Sequence, residues 1–186
     1  MDAHNKCVNA GLPVYHLDEN MQKGSNFAER LQSAFQHVYD EGYENVIAVG
    51  NDCPWLSVKD IKIAEASIHK GKVILGETNR GGVYLLGLSQ TQFRSLDLGD
   101  INWGTGKVFE QLCDSLSMNA ELSLLKRKTE YNNEEDLSEV TYHLNNKLYG
   151  WLLSQAVHNE PKMEELMTIF SLDLDGVHDH RGPPLK

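Results

Sequence analysis

The sequence predicts an α/β fold in which helices cover both faces of a mainly parallel sheet, three layers in all. Short apolar runs alternate along the chain with longer stretches of helical periodicity, which is the pattern of strand–helix units. One run, Val46–Val49, is uninterrupted and ends at Gly50, as is typical of a strand buried on both faces. A chain of 186 residues is long enough for one domain with a sizeable core. We therefore expect a single domain over residues 1–170 and an extended tail over residues 171–186.

Five apolar runs are candidate strands. Their lengths fall within, or just below, the four to eight residues that are typical of a strand. In chain order they cover Leu12–Leu17, Val46–Val49, Val73–Leu75, Val83–Leu88 and Leu122–Leu125. Pro13 is tolerated only because it lies at the start of the first of these runs.

Helical spacing of apolar residues marks the stretches between the strands. The first helix covers 26–40, with Ser25 or Asn26 as its N-cap, and the second begins after Ser57, with Asp60 as its capping-box partner. The next is expected to begin at Trp103 or Thr105. Beyond the last strand, a long helix capped by Asn133 and a final helix beginning at Pro161 are predicted.

Charge and composition exclude several classes of function. Lys and Arg number 17 against 27 Asp and Glu, a formal charge of −10, so duplex nucleic acid and anionic membrane surfaces are unsuitable partners. No apolar run approaches the roughly 20 residues that cross a bilayer, and the polar segment Met1–Asn9 predicts no secretory signal. The three scattered cysteines, Cys7, Cys53 and Cys113, indicate no disulfide framework, so a cytoplasmic location is expected.

Ligands of open α/β sheets bind beyond the carboxyl ends of the strands, which directs attention to the loops Gly50–Leu56, Gly76–Gly82 and Lys126–Asn133. In the first loop, Asp52 follows a buried strand and precedes Pro54. Its carboxylate could bind a hard divalent cation, or it could cap the turn that leads into the Ser57 helix. The residues leave both interpretations open.

The second loop contains Arg80, Gly81 and Gly82. A glycine pair before a strand permits close approach of the backbone to a ligand, but it also serves an ordinary turn with positive φ, which is the commoner case. Arg80 is suited to a phosphate through its planar guanidinium, although most single loop arginines are only solvated.

A third feature, Ile101–Thr105, stands at a predicted helix entrance. A helix N-terminus beside an exposed aromatic ring could hold an anion or stack a flat ligand. The alternative, favoured for this segment alone, is a core tryptophan, Trp103, beside an ordinary threonine cap at Thr105.

Four sequence segments, in this order, resemble the bacterial DUF2064 family, whose members are described as glycosyltransferase-like or nucleotide-diphospho-sugar transferase proteins of the GT-A fold. The segments are Phe27–Arg30, Gly50–Leu56, Gly81–Leu88 and Trp103–Thr105, and the resemblance extends from Gly24 to about Leu137. It implies a metal-dependent transferase acting on a nucleotide-sugar and an acceptor that the sequence does not specify.

The resemblance also implies roles for individual residues. Asp52 would be the ligand of a divalent metal, Mg or Mn, that bridges the diphosphate and supports departure of the leaving group. Gly81 and Gly82 would admit the sugar or phosphate, and Arg30 would contact the diphosphate. Residues from Trp103 to Thr105 would line the acceptor side.

Three departures from the family pattern accompany the resemblance. Arg80 stands where relatives usually have an Asp before the two glycines, and Asn132 replaces a second metal-facing carboxylate, although an amide oxygen still ligates a hard cation. Relatives also begin with a strand and helix ahead of the segment at Leu12, so we expect an N-terminally shortened form of the fold whose exposed sheet edge could support a homo-oligomer.

The departures keep other functions open. One is a degenerate, non-catalytic binding or assembly module. Another is nucleotidyl transfer on the same fold, which is disfavoured because the chain shows neither an N-terminal glycine-rich loop nor a basic residue beside it.

Overall fold

The computed structural model describes residues 3–15, 23–50, 53–129 and 170–172. The helices are α1 (Ala3–Asn9), α2 (Phe27–Asp40), α3 (Val58–Ile68), α4 (Gln90–Ser95) and α5 (Val108–Ser117), with a 3₁₀ turn at Leu98–Asp100. The strands are β1 (Asn45–Gly50), β2 (Val73–Thr78), β3 (Val83–Ser89), β4 (Leu122–Lys128) and β5 (Phe170–Leu172).

The five strands form one sheet in the order β4-β2-β3-β1-β5. β2 pairs parallel with β4, and β1 pairs parallel with β5, whereas β3 lies antiparallel between β2 and β1. Four of the five described strands therefore run in the same direction, which confirms the predicted mainly parallel sheet. β5 extends to Leu172, two residues beyond the predicted domain boundary at residue 170. The division into a domain over residues 1–170 and a tail over residues 171–186 stays a prediction.

Helices cover both faces of the sheet, so the three predicted layers are confirmed. On one face, α2, α4 and α5 pack over alternate residues of β1, β2 and β3 around the fully buried Phe35 and Leu112. On the other face, α1 and α3 pack over the intervening residues around Ile61 and Ile74. The strands are apolar on both sides because both sides face a core.

The predicted helix starts at Asn26 and Ser57 are confirmed in detail. The side chain of Asn26 accepts a hydrogen bond from the Glu29 N–H, and Ser57 and Asp60 form a reciprocal capping box. Each cap satisfies backbone donors that the first turn of a helix leaves unpaired.

Other predicted boundaries are wrong. α5 begins at Val108 rather than at Trp103 or Thr105, because the intervening residues form successive turns. In the described part of Leu12–Leu17, only Val14 forms a β-bridge and residues 12–15 make no continuous strand, while residues 16 and 17 lie outside the described ranges. α1 was not predicted at all, since its buried residues, Ala3 and Cys7, are small and leave little apolar signal.

Two predicted helices, from Asn133 and from Pro161, lie outside the described residues. Within the described ranges, no helix is both long and apolar enough to cross a membrane.

Candidate functional site

The carboxyl ends of β1, β2 and β4 meet at one edge of the sheet, which we call the carboxyl edge. Two contacts show that loops and helix starts converge there. The ring of Phe27, at the start of α2, lies 4.7 Å from that of Trp103. The Phe109 N–H of α5 donates to the Gly81 carbonyl at 2.9 Å. A crevice at this edge is the usual ligand site of such sheets.

A tight hairpin turn joins β2 to β3 at this edge. The Gly81 N–H donates to the Thr78 carbonyl at 3.2 Å, and the Thr78 N–H donates to the Gly82 carbonyl at 2.9 Å. The Thr78 hydroxyl also accepts the Gly82 N–H at 2.9 Å. Gly81 has φ +77°. This is the left-handed conformation that the last residue of a three-residue hairpin loop adopts after a type I turn. The hairpin turn, one of the two interpretations of the glycine pair, therefore explains why residue 81 is a glycine.

Gly81 also permits close backbone contact, but with the protein itself. A Cβ atom at Gly81 would lie 2.1 Å from the carbonyl oxygen of Gly106, in the segment that leads into α5. The hairpin turn and the start of α5 are thus locked together, and only glycine fits between them. Whether Gly81 and Gly82 also admit a ligand stays a prediction.

Arg127, near the end of β4, holds the same turn from the opposite side. Its Nε donates to the Thr78 carbonyl at 3.2 Å, and its Nη2 donates to the Asn79 carbonyl at 2.8 Å. The guanidinium also lies 3.4 Å from the Glu77 carboxylate. Arg80, the next residue of the turn, is exposed at its tip. The turn is therefore held in place from both sides, with the exposed Arg80 at its tip.

Lys128, the last residue of β4, forms a mostly buried ion pair with Asp60 at 2.9 Å, and the two side chains are 12% and 13% exposed. Asp60 Oδ2 also accepts from the Ser57 N–H at 2.9 Å and from the Ser57 hydroxyl at 2.5 Å. Burial raises the pKa of Asp60, but the hydrogen bonds from Ser57 and Lys128 outweigh it and hold this pKa below its usual value. The carboxylate of Asp60 is therefore ionised and committed to these partners.

Tyr84 connects this ion pair to the core. A bulge between β2 and β3 pairs Gly76 with Leu85 and Glu77 with Val83, so Tyr84 is the extra residue and turns toward α3 with Leu85. Its ring covers Gly76, where a Cβ would lie 2.5 Å from the ring. Its hydroxyl donates to the Lys126 carbonyl at 3.0 Å, and Lys128 Nζ lies 5.7 Å from the ring centre.

Trp103 and Thr105 have structural partners at this edge. The Trp103 indole N–H donates to the Leu98 carbonyl at 2.8 Å, and its ring packs on Phe27. The Thr105 hydroxyl donates to the Asn102 carbonyl at 2.7 Å and accepts the Lys107 N–H at 3.3 Å. Trp103 is half-buried and Thr105 is exposed, so the alternative of a core-packed tryptophan describes Trp103, while Thr105 holds a turn rather than capping α5.

Arg30 also lies near the start of α2. Its Nε donates to the carbonyl of Gly24 at 3.3 Å. The described structure therefore brings Arg30, Arg80, Trp103 and Thr105 to the same edge, as the family resemblance implies, without testing their roles.

The two predicted metal ligands, Asp52 and Asn132, lie outside the described residues. Among the residues that are described, no three His, Cys, Asp or Glu side chains are grouped as a metal site would require. Two carboxylates at this edge, Asp60 and Glu77, are already paired with Lys128 and Arg127. The described residues alone do not make a metal site, and the metal roles of Asp52 and Asn132 stay predictions.

Sequence reasoning missed the two cations at the end of β4 that organise this edge. Lys126, Arg127 and Lys128 are consecutive in a chain of net charge −10, and a basic run at the carboxyl end of a predicted strand was the available signal. Their partners, Glu77, Asn79 and Asp60, are 48 to 68 positions away in the sequence, and no local pattern predicts such pairings.

Comparison with known proteins shows that part of the sequence matches a protein family. Residues 14–105 match the model of a family of uncharacterised proteins conserved in bacteria, DUF2064. The matched segment includes the start of α2, the β1–α3 loop, the hairpin turn and Trp103, all of which carried the resemblance. Over these residues, about half of the chain, the sequence is similar to the DUF2064 family. The segment around Glu130–Leu137 lies beyond the match.

One similar structure is a crystal structure from Desulfovibrio desulfuricans G20, described provisionally as a nucleotide-diphospho-sugar transferase. The two chains are 21% identical and superimpose with a TM-score of 0.57 over 73% of this chain and 62% of that one. The chain thus spans less than two thirds of that protein's length, and the likeness shows that the two share a fold. No curated protein matches this sequence.

Proposed function

We propose that this protein is a nucleotide-diphospho-sugar transferase whose donor binds at the carboxyl edge. The observation that carries the proposal is the hairpin turn Thr78–Gly82, which is fixed by Arg127 and by the start of α5 and presents Arg80 at its tip. The similarity to the family and the shared fold support the same site.

The chemistry of glycosyl transfer explains what such an edge would do. As the bond between the sugar and the diphosphate breaks, negative charge grows on the departing diphosphate. A guanidinium offers planar, paired N–H donors to phosphate oxygens, so Arg80 would stabilise this charge, with Arg30 as a second contact. Because Arg127 and Gly106 fix the turn beforehand, little reorganisation would accompany the reaction.

A divalent metal, Mg²⁺ or Mn²⁺, belongs to the proposal through Asp52, with Asn132 as a weaker second ligand. Such an ion would offset diphosphate charge as a Lewis acid. In this chain a cationic Arg80 stands where relatives carry an acid, so the arginine would supply charge that a carboxylate there could not.

A second candidate function is a binding module without catalysis. It is favoured by the same arginine, and by the engagement of Asp60 and Glu77 with cations, which leaves these carboxylates unsuited to act as bases. We also propose that the protein forms a homo-oligomer and that it is located in the cytoplasm.

Thermal unfolding with UDP, GDP, UDP-glucose and GDP-mannose, each with and without Mn²⁺, tests the proposal. A ligand at about 100 times its Kd adds about 2.7 kcal/mol of stability. We expect at least one of these nucleotides to stabilise the protein. Arg80→Ala should weaken that effect, whereas Arg94→Ala, an exposed arginine of α4 at the opposite edge, should not.

Release of nucleoside diphosphate from the nucleotide-sugar distinguishes the two functions. A transferase or its water-dependent side reaction releases it, and Asp52→Asn should abolish the Mn²⁺-dependent part. Binding without release, unchanged by Asp52→Asn, supports the binding module. Absence of stabilisation by every nucleotide at millimolar concentration contradicts the transferase and any module that binds these nucleotides.

A further inference from the structure

The loop that joins β1 to α3 is described from Cys53 onward, and this part lies at the carboxyl edge. It starts at β1, on one side of the sheet, and leads to Asp60, whose carboxylate is paired with Lys128 at the end of β4 on the other side. Cys53, early in this loop, packs in the same buried cluster as Tyr84 of β3. The described part of the loop, Cys53–Ser57, therefore lies over the strand ends where the ligand crevice is expected.

This loop carries a rigid turn. The Leu56 N–H donates to the Cys53 carbonyl at 3.1 Å, which closes a four-residue turn with Pro54 and Trp55 at its centre. Cys53 and Leu56 are both 2% exposed, so both ends of the turn are anchored in the core. Pro54 fixes its own φ, and its carbonyl accepts a hydrogen bond from Lys6 Nζ at 2.8 Å.

At the tip of this turn, Trp55 is 40% exposed. A turn of this shape needs no aromatic residue at its third position, where small polar residues are usual. The fold instead holds a large, flat and partly exposed side chain between the end of β1 and the start of α3, on a backbone that cannot easily withdraw it.

We propose that the indole of Trp55 is a stacking platform for a flat ring of the bound ligand. The ring is either the nucleobase of a nucleotide or the apolar C–H face of a sugar, and the two share the same contact chemistry. The inference rests on the proposed function and adds a subsite to it. Stacking on a fixed aromatic ring tolerates different bases, because every base has a π face, and the anchored turn keeps the ordering cost low.

Calorimetric titration of UDP and UDP-glucose into Trp55 variants tests this platform. Removing an aromatic stacking partner costs about 1–3 kcal/mol per base, so Trp55→Ala should raise Kd by about 5- to 150-fold. Trp55→Phe should recover part of this loss, whereas Trp55→Leu, which is apolar but not flat, should not. Ile63→Ala removes a side chain of equal exposure (41%) from the middle of α3 and should leave Kd unchanged.

The ligands distinguish the two sources of the ring. Equal losses for UDP and UDP-glucose assign the base to Trp55, and a loss for UDP-glucose alone assigns the sugar. Circular dichroism and thermal unfolding of each variant confirm that it is folded before it is titrated.

Two results overturn the inference, and they differ. If the wild-type protein binds UDP or another panel nucleotide and Trp55→Ala binds it equally well, the platform is wrong while the proposed function stands. If the wild-type protein binds no nucleotide of the panel, the proposed function fails and the platform fails with it.

Discussion

Replacing Gly81 with alanine tests how the hairpin turn is built. Gly81 adopts φ +77°, and an added Cβ would lie 2.1 Å from the Gly106 oxygen and 2.7 Å from its carbonyl carbon. Both atoms belong to the backbone, so no side chain can rotate away to relieve the overlap. Gly81→Ala must therefore separate the turn from the start of α5.

The expected loss has two parts. A non-glycine residue in the left-handed region costs about 1–2 kcal/mol, and forcing extra atoms into a packed contact costs about 1–3 kcal/mol more. We expect Gly81→Ala to lower the free energy of unfolding by about 2–5 kcal/mol. For a chain of this length, 3 kcal/mol corresponds to a fall of roughly 6–12 °C in Tm.

Gly71→Ala is a matched control, because Gly71 also has φ +77° but nothing within 4 Å of an added Cβ. It should lose only the conformational part, about 1–2 kcal/mol. Urea unfolding of both variants, at unchanged m-value, measures the difference. Equal losses for the two glycines would refute the close contact between the turn and Gly106.

Two further predictions follow from buried groups. Asp60→Ala should cost about 2–4 kcal/mol at pH 7, because it removes a helix cap and leaves Lys128 buried without its partner. The pKa of Asp60 is lowered in the folded state, so its contribution is present at neutral pH and is lost as pH falls below about 4. The stability gap between wild type and variant should narrow there, and a gap independent of pH would count against the ion pair. Of the three thiols, Cys7 and Cys53 are buried and Cys113 is half-buried, with burial, Asp114 and Glu77 raising the pKa of Cys113. Ellman's reagent at pH 8 should modify at most one thiol slowly in the native protein and all three in urea; rapid modification of two or more native thiols would contradict the packing.

Local patterns in the sequence predicted the features that depend on neighbouring residues. The caps at Asn26 and Ser57 are set within three residues of each helix start, and the strand Val46–Val49 is apolar on both faces because both are buried. The turn at Gly81 was also recognised as an alternative to ligand contact, since positive φ is a local requirement.

Features set by distant residues could not be predicted in this way. The Asp60–Lys128 ion pair joins residues 68 positions apart, and the bulge at Tyr84 depends on the ring covering Gly76 in the adjacent strand. Trp103 and Thr105 were expected to open a helix, yet their hydrogen bonds to Leu98 and Asn102 favour turns and delay α5 to Val108.

The candidate site was predicted in part. The sequence pointed to the carboxyl edge, and the structure brings Arg30, Arg80, Trp103 and Thr105 there. The sequence did not indicate that Arg127 fixes the turn that carries Arg80. The expected metal ligands, Asp52 and Asn132, lie outside the described residues, so their roles stay predictions.

Mapping the binding site by NMR tests the central claim most directly. Backbone and indole N–H signals of ¹⁵N-labelled protein would be followed as UDP-glucose is added, with and without Mg²⁺. We predict that the largest shifts fall on Asn79–Gly82 and the Trp55 indole, while α4 at the opposite edge is unaffected. Shifts concentrated away from the ends of β1, β2 and β4, or no shifts with any panel nucleotide, would contradict a nucleotide-sugar site at this edge.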